Sequence, residues 1–363
     1  MKLQKSHLEF QDGTKLEAKS FGFEGNTSGE LVFYTAMTGY PESLTDPSYY
    51  GQILVATYPL IGNYGVPKDS FNDNLLEYYE SNKIHCKGII ISDYSPKESH
   101  WNSKQSLGSW LKDQKIPGLC CIDTRELTKK LRDQGSALAK IVIDDQETEF
   151  YNPNSENIVD KVSTTEKIVY GNGKYRVLLV DCGVKTNIIR CLLSRDCTVV
   201  RVPWDYDFSK ENYDAILLSN GPGDPKYCEK TINNLRLAMK EDKPIFGICL
   251  GNQLLALAAG AKTYKLKYGH RSHNQGIISE STDKCYISSQ NHGYAIDRAS
   301  LPEDWDILFS NINDNTIEGI KHKTKPFFSV QFHPEACSGP TDTEYLFDDF
   351  IKLIKKCKAD EKE

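Results

Sequence analysis

The sequence turns on residues 247–253, which read Gly-Ile-Cys-Leu-Gly-Asn-Gln. The preceding Lys-Pro-Ile-Phe predicts a short buried strand, and the apolar residues 254–259 predict a helix that ends at Gly260. A cysteine between two glycines at a strand-to-helix turn is typical of a nucleophile elbow. There the small neighbours let the backbone bend sharply enough to present the reactive side chain. We therefore interpret Cys249 as a nucleophile.

The predicted bend also gives Cys249 a favourable electrostatic position. It lies at a helix N-terminus, where unpaired N–H groups and the helix dipole favour the thiolate, the reactive form of the side chain. The same backbone amides, led by that of Leu250, are expected to bind an oxyanion. The segment thus predicts both a nucleophile and the donors that stabilise its reaction intermediate.

Composition limits the class of protein. The 363 residues are enough for two domains, and 39% hydrophobic with 26% charged residues indicates a soluble globular chain. A net charge of −6 without a basic, aromatic-rich cluster argues against nucleic acid as a partner. The polar N-terminus does not resemble a signal peptide, and no apolar run reaches the ~18 residues needed to cross a membrane. With 11 scattered cysteines best explained as reduced thiols, we expect a cytoplasmic protein without membrane contact.

The hydrophobic pattern changes along the chain and predicts an α/β protein with two domains. Residues 1–150 predict a β-rich N-terminal domain, with a hairpin at Asp12-Gly13 and a loop over 38–49. On composition alone, this loop is interpreted as a long connection between strands. Residues 151–174 are polar and predict a linker. In residues 175–363, continuous apolar runs alternate with helical segments, which predicts a doubly wound parallel sheet whose ligands bind at the carboxyl ends of the strands.

A second motif supplies the partners of Cys249. The strand predicted at 327–332 runs into His333-Pro334-Glu335, and proline favours an extended residue before it, so we expect His333 to continue the strand. Residues two apart on a strand share a face, which puts Glu335 within reach of the imidazole. Taken singly, a cysteine is more often a buried small residue and a histidine a hydrogen-bonded core group. The combination favours a Cys249, His333 and Glu335 triad.

A third motif, Ser-Asn-Gly-Pro-Gly-Asp-Pro at 219–225, follows the strand before the elbow. Bare backbone at its glycines can approach a substrate or supply a second oxyanion donor. It is not a phosphate loop, because it has no lysine and no Gly-x-x-x-x-Gly-Lys-Ser/Thr spacing. We therefore expect no nucleotide site and no cofactor on this chain.

These motifs, in this order, resemble the class I (triad) glutamine amidotransferases from about residue 176 to the C-terminus. The first domain narrows the resemblance: Thr38 to Tyr49 looks like the small, glutaminase subunit of carbamoyl-phosphate synthetase, and residues 122–132 and 181–187 agree. The resemblance implies that the β-rich domain docks a large synthetase chain.

The family's functional residues carry over by position. The resemblance assigns the triad to Cys249, His333 and Glu335. It assigns contacts with L-glutamine to Ser48, Gly221, Gly223, Leu250, Gln253, Asn291, Gly293 and Tyr294. Relatives often have histidine where this chain has Asn252, and glycines where residues 269–274 carry bulkier side chains. His270 and His273 lack a third ligand and are expected to be structural, so no metal site is predicted.

The resemblance implies a glutaminase that hydrolyses L-glutamine through a γ-glutamyl thioester on Cys249. Ammonia then passes to the large subunit, which makes carbamoyl phosphate from bicarbonate and ATP for arginine or pyrimidine synthesis; ATP and Mg are expected on that partner. One alternative is the glutaminase of another amidotransferase, against which the first ~150 residues argue. A second alternative is a non-catalytic regulatory subunit on the same fold, which the intact triad disfavours. A third is a free-standing cysteine hydrolase.

Overall fold

The computed structural model describes residues 3–360. It divides into two compact units, Met1–Ser155 and Glu156–Glu363. Residues 156–174, which the sequence assigns to a linker, belong to the second unit. One reason is that the strand Ile168–Tyr170 pairs with a strand of its sheet. In the part of the chain that the structure describes, none of the helices has the length and apolar character that a bilayer crossing requires.

The first unit is built on a closed barrel of seven strands, in the order β1-β11-β3-β4-β8-β10-β2. The predicted hairpin is present, with Leu8 of β1 opposite Leu16 of β2. The strands of this unit are β1 (Gln4–Phe10), β2 (Lys15–Ser20), β3 (Thr27–Tyr34), β4 (Gln52–Ala56), β5 (Val66–Pro67), β6 (Phe71–Asn72), β7 (Leu75–Leu76), β8 (Gly88–Ile90), β9 (Ser103–Gln105), β10 (Gly118–Cys120) and β11 (Ala137–Val142). Its helices are α1 (Tyr40–Thr45), α2 (Leu107–Asp113) and α3 (Thr124–Gln134).

The segment predicted as a loop over 38–49 is instead largely helical. It contains α1 and a 3₁₀ turn, Pro47–Tyr49. Gly39 enters the helix in the left-handed conformation, at φ 80°, and the Asp46 side chain accepts a hydrogen bond from the Ser48 amide. The loop prediction was wrong because glycine and proline break helices only in their interior, whereas here they lie at helix starts.

The second unit is organised by a ten-stranded mixed sheet, in the order β12-β14-β13-β15-β16-β21-β20-β19-β17-β18. The run from β14 to β21 is parallel. Its strands are β12 (Ile168–Tyr170), β13 (Tyr175–Asp181), β14 (Cys197–Pro203), β15 (Ala215–Leu218), β16 (Ile245–Ile248), β17 (Thr263–Ser279), β18 (Cys285–Ile296), β19 (Trp305–Asn311), β20 (Ile317–His322) and β21 (Phe327–Val330). Its helices are α4 (Thr186–Leu193), α5 (Glu229–Ala238), α6 (Leu250–Ala259) and α7 (Tyr345–Asp360). The α/β class predicted from the sequence is confirmed.

Burial explains why the central strands have no alternating pattern. Along β13 and β15, both faces of the sheet are covered, and Val177, Leu178 and Leu217 are fully buried. A strand is predicted at residues 285–288 and is present as the start of β18, which continues to Ile296 opposite β17. A frayed tail is predicted from Lys355 to Glu363, but α7 continues to Asp360. Residues 361–363 of that tail lie outside the described part.

Candidate active site

The elbow is present at the junction of β16 and α6. Cys249 has φ 54° and ψ −102°, a positive φ that non-glycine residues seldom adopt and that marks a strained backbone. The glycines on either side are required by space. A Cβ on Gly247 would lie 2.6 Å from the Gly251 carbonyl oxygen, and one on Gly251 would lie 2.3 Å from the Leu218 carbonyl oxygen. The bend therefore requires glycine at both positions, because no larger residue fits.

His333 and Glu335 form a buried pair beside this elbow. His333 Nδ1 lies 2.7 Å from Glu335 Oε1, and the Glu335 side chain is fully buried. The expectation that His333 continues the strand was wrong, since β21 ends at Val330. The His333 amide instead donates to the Ser289 carbonyl at 2.9 Å, in an isolated bridge, and a turn after it brings Glu335 to the ring.

The charges around the imidazole favour its protonated form. Burial opposes protonation, but the Glu335 carboxylate and then the Cys249 sulfur outweigh it and raise the pKa of His333. The other ring nitrogen, Nε2, is buried and makes no hydrogen bond within residues 3–360. Because Nδ1 is held by Glu335, Nε2 is the atom through which the ring interacts with the thiol.

A residue that the sequence analysis missed completes the electrostatics. Lys185, just before α4, places its Nζ 3.0 Å from Glu335 Oε1, and its side chain is 7% exposed. Burial alone raises the pKa of Glu335, but Lys185 and then His333 outweigh it, so the carboxyl group stays ionised. The signal in the sequence is a lysine shortly after the buried strand β13, within residues 181–187.

The thiol itself faces the strand β18. Cys249 is 2% exposed, and its Sγ donates to the Asn291 carbonyl oxygen at 3.5 Å. Gln253, one turn along α6, donates from Nε2 to the Tyr294 carbonyl oxygen at 2.9 Å. The structure thus brings three of the residues assigned to glutamine binding to one face of the elbow.

Of the other residues assigned to glutamine binding, some lie beside the elbow and others lie elsewhere. Gly221 packs against the elbow, because a Cβ there would lie 2.8 Å from the Leu250 side chain. Gly293 follows Asn291 on β18, whereas Gly223 packs against Ile158. Ser48 belongs to the first unit, where it is buried.

Asn252, the departure from the family pattern, is part of a buried hydrogen-bond network. Its Oδ1 accepts from Ser329 Oγ at 2.8 Å, and its Nδ2 donates to Gln331 Oε1 at 3.0 Å. Gln253 donates to the same Gln331 oxygen at 3.1 Å. Since Ser329 lies on β21 and Gln331 just after it, this network fixes the segment that leads into His333. Gln331 was not singled out from the sequence.

Comparisons with known proteins match both halves of the chain. Residues 8–141 match the model of the carbamoyl-phosphate synthase small chain, CPSase domain, and residues 178–353 match the model of class-I glutamine amidotransferases. The carbamoyl phosphate synthase arginine-specific small chain of Neurospora crassa is 49% identical over 360 residues, which cover 96% of this chain and 80% of that protein. The chain belongs to the carbamoyl-phosphate synthase small-chain family. The elbow and the His333–Glu335 pair lie within the residues that match the amidotransferase model.

Other relatives are much longer. The multifunctional protein CAD of Squalus acanthias is 51% identical over 358 residues, covering 97% of this chain but 16% of that protein. The mitochondrial carbamoyl-phosphate synthase [ammonia] of Homo sapiens is 48% identical over 364 residues, covering 99% of this chain and 24% of that protein. The chain therefore spans between a sixth and a quarter of these relatives, whereas it covers most of the separate small chains.

Proposed function

We propose that this chain is the glutaminase component of a glutamine-dependent carbamoyl-phosphate synthase. It hydrolyses L-glutamine and delivers ammonia to a large, ATP-using synthetase subunit. The observation that carries the proposal is the strained Cys249 elbow beside the buried His333–Glu335 pair, in a chain of the small-chain family.

In the first half-reaction, the Cys249 thiolate attacks the side-chain carboxamide carbon of glutamine. The resulting oxyanion is held by the Leu250 amide at the start of α6 and by the backbone at Gly221. The imidazolium of His333 donates the proton from Nε2 to the departing nitrogen. The C–N bond breaks, ammonia leaves, and a γ-glutamyl thioester remains on Cys249.

In the second half-reaction, neutral His333 takes a proton from water, whose oxygen attacks the thioester. The C–S bond breaks, glutamate leaves, and the thiolate–imidazolium pair is restored. Glu335 holds the Nδ1 proton throughout, and Lys185 keeps Glu335 ionised. We assign Ser48, Gly223, Gly293 and the β18 residues Asn291 and Tyr294 to glutamine binding on the family resemblance.

The ammonia must be used on another chain or another domain. Synthesis of carbamoyl phosphate requires ATP, and the glycine motif at 219–225 has no phosphate-loop spacing. We therefore assign ATP and Mg to the large subunit, docking of that subunit to the β-rich residues 1–150, and the complex to the cytoplasm. The names of the relatives, which include an arginine-specific small chain and the multifunctional protein CAD, support this assignment of partner.

The test compares the chain alone and with a purified large subunit. We expect slow glutamine hydrolysis alone, stimulation by the large subunit with ATP and bicarbonate, and carbamoyl phosphate as product. Cys249→Ser should abolish hydrolysis and leave ammonia-dependent synthesis by the complex intact. Cys182→Ser is the matched control, since Cys182 is buried at the end of β13. Hydrolysis that survives Cys249→Ser contradicts the proposal, and full activity without stimulation favours a free-standing hydrolase.

A further inference from the structure

The second unit contains a buried group of metal-ligand type that neither the triad nor the glutamine contacts use. His270 lies on β17, His292 on β18 and Glu318 on β20, and one ligand atom of each lies within 4.8 Å of the other two. His270 Nδ1 is 3.5 Å from Glu318 Oε1, and His292 Nε2 is 3.9 Å from the same oxygen. Three strands thus bring two imidazoles and one carboxylate to a common point.

Each of the two histidines is held by a hydrogen bond on its outer side, and the carboxylate is held by a neighbouring side-chain amide. His270 Nε2 lies 2.9 Å from Asp314 Oδ2, and His292 Nδ1 donates to the Tyr294 carbonyl oxygen at 2.8 Å. Asn311 Nδ2 donates to Glu318 Oε1 at 3.1 Å. Metal-binding histidines are typically oriented in this way by a carboxylate or a backbone carbonyl, which turns the other ring nitrogen towards the ion.

Two atoms at this point lack a hydrogen bond within the described residues. They are His270 Nδ1 and Glu318 Oε2, on side chains that are 9% and 0% exposed. A buried polar atom without a partner destabilises the fold, and a cation between these side chains removes that cost for both. Both orphan atoms belong to side chains of this three-residue group, so they point to a missing ligand.

We propose that His270, His292 and Glu318 bind one zinc ion. Two histidines and a glutamate form a ligand set typical of zinc with a fourth position for water or another donor. Gln290 Oε1, 3.2 Å from His292 Nε2, is placed to occupy it. In tetrahedral zinc sites neighbouring ligand atoms lie about 3.3 Å apart. The ligand atoms here lie within 4.8 Å of one another, so they need to close by up to about 1.5 Å.

This proposal revises the expectation of no metal site, and it replaces the pair suggested by the sequence. His273 is not in the group, whose third member is Glu318 on β20. In the absence of metal, a proton competes for the same place. Burial disfavours that proton, but the neighbouring Asp314 and Glu318 carboxylates outweigh burial and raise the pKa of His270 to about 9. Zinc displaces the proton on binding.

The ion would fix β18 against β17 and β20. His292 lies between Asn291, whose carbonyl accepts from Cys249, and Gly293. If the proposed function holds, zinc therefore orders the strand that contacts glutamine and lowers the KM for glutamine without changing the triad. This consequence rests on the proposed function, whereas zinc binding itself does not.

The experiment titrates the full chain, stripped with a chelator, with Zn²⁺ by calorimetry and with Co²⁺ by absorption spectroscopy. We expect one site per chain, with affinity at least tenfold lower in Glu318→Gln and in His270→Gln. His322→Gln is the matched control, since His322 pairs with Asp304 at 3.2 Å and joins no group of three ligands within residues 3–360. This variant should bind as the unchanged chain does.

The cobalt spectrum separates this site from the 11 cysteines. Nitrogen and oxygen ligands give the visible bands of cobalt without the intense near-ultraviolet band of a cobalt–thiolate bond. No stoichiometric binding, equal binding in both variants, or a thiolate band overturns the proposal. If a variant fails to fold, the spectrum of the unchanged chain decides alone. Neither titration depends on glutamine hydrolysis, so failure of the proposed function leaves the test intact.

Discussion

Replacing Glu335 by glutamine is the sharpest perturbation of the site, because it removes one charge and almost no volume. The carboxylate lies 2.7 Å from His333 Nδ1 and 3.0 Å from Lys185 Nζ, and it is fully buried. An opposite charge at such a distance shifts a pKa by about 1–3 units. Since Glu335 raises the pKa of His333, Glu335→Gln should lower that pKa by about 1–3 units.

The sign of the pH effect follows from the mechanism. Ammonia can leave only while His333 is protonated, so activity is lost as pH rises through the pKa of His333 in the folded protein. Glu335→Gln should therefore move the alkaline limb of kcat/KM for glutamine to lower pH. It should also reduce kcat by about 10²- to 10⁴-fold, because a neutral amide no longer holds the ring in the correct tautomer.

The same substitution should reduce stability. It removes the carboxylate from the buried Lys185–Glu335 ion pair, and breaking a buried ion pair by removing one partner costs about 3–5 kcal/mol of unfolding free energy. The assays are pH–rate profiles of glutamine hydrolysis and urea denaturation at pH 7. Glu30→Gln, at a buried glutamate hydrogen-bonded to Ser136 in the first unit, is the control and should leave the alkaline limb in place. An unchanged limb in Glu335→Gln would refute the assignment of His333 and Glu335.

Three further substitutions test other parts of the structure. Gly251→Ala should lower the unfolding free energy by about 1–3 kcal/mol and abolish hydrolysis, because its Cβ meets the Leu218 carbonyl at 2.3 Å. Activity assays and urea denaturation check this, and normal activity would show that the bend is not required. Asn252→Ala should lower the unfolding free energy by about 1–3 kcal/mol, because it leaves buried polar groups without partners. The thiol should still react with iodoacetamide, and unchanged stability would contradict the hydrogen-bond network. Asp123→Ala should lower the unfolding free energy of the first unit alone by about 1 kcal/mol, because it removes the α3 cap, a hydrogen bond of 2.9 Å. Glutaminase activity should be unaffected, and thermal denaturation of the two units measures the loss of stability.

Local patterns in the sequence were sufficient for the parts of the fold that local physics controls. The elbow could be predicted because steric crowding allows only glycine at 247 and 251, and the α3 cap could be predicted because Asp123 precedes a periodic helix. The parallel core strands could be predicted because burial on both faces leaves continuous apolar runs.

The rest depends on contacts between residues far apart in the chain. Lys185 reaches Glu335 across 150 positions and Gln331 reaches Asn252 across 79, so no spacing rule indicates either pair. The His270, His292 and Glu318 group is formed by three strands, whereas the local sequence pattern brings only His273 near His270. The turn at His333 was missed because the proline rule predicts an extended residue but not where strand pairing ends.

The central claim is that glutamine is hydrolysed through a covalent bond to Cys249. Rapid acid quench of the chain with glutamine, followed by mass spectrometry of the intact protein and its peptides, tests it directly. We expect one added glutamyl group on the peptide that contains Cys249, released as γ-glutamyl hydroxamate on incubation with neutral hydroxylamine and absent in Cys249→Ala. Glutamine turnover without any adduct, or an adduct on a different cysteine, would contradict the mechanism.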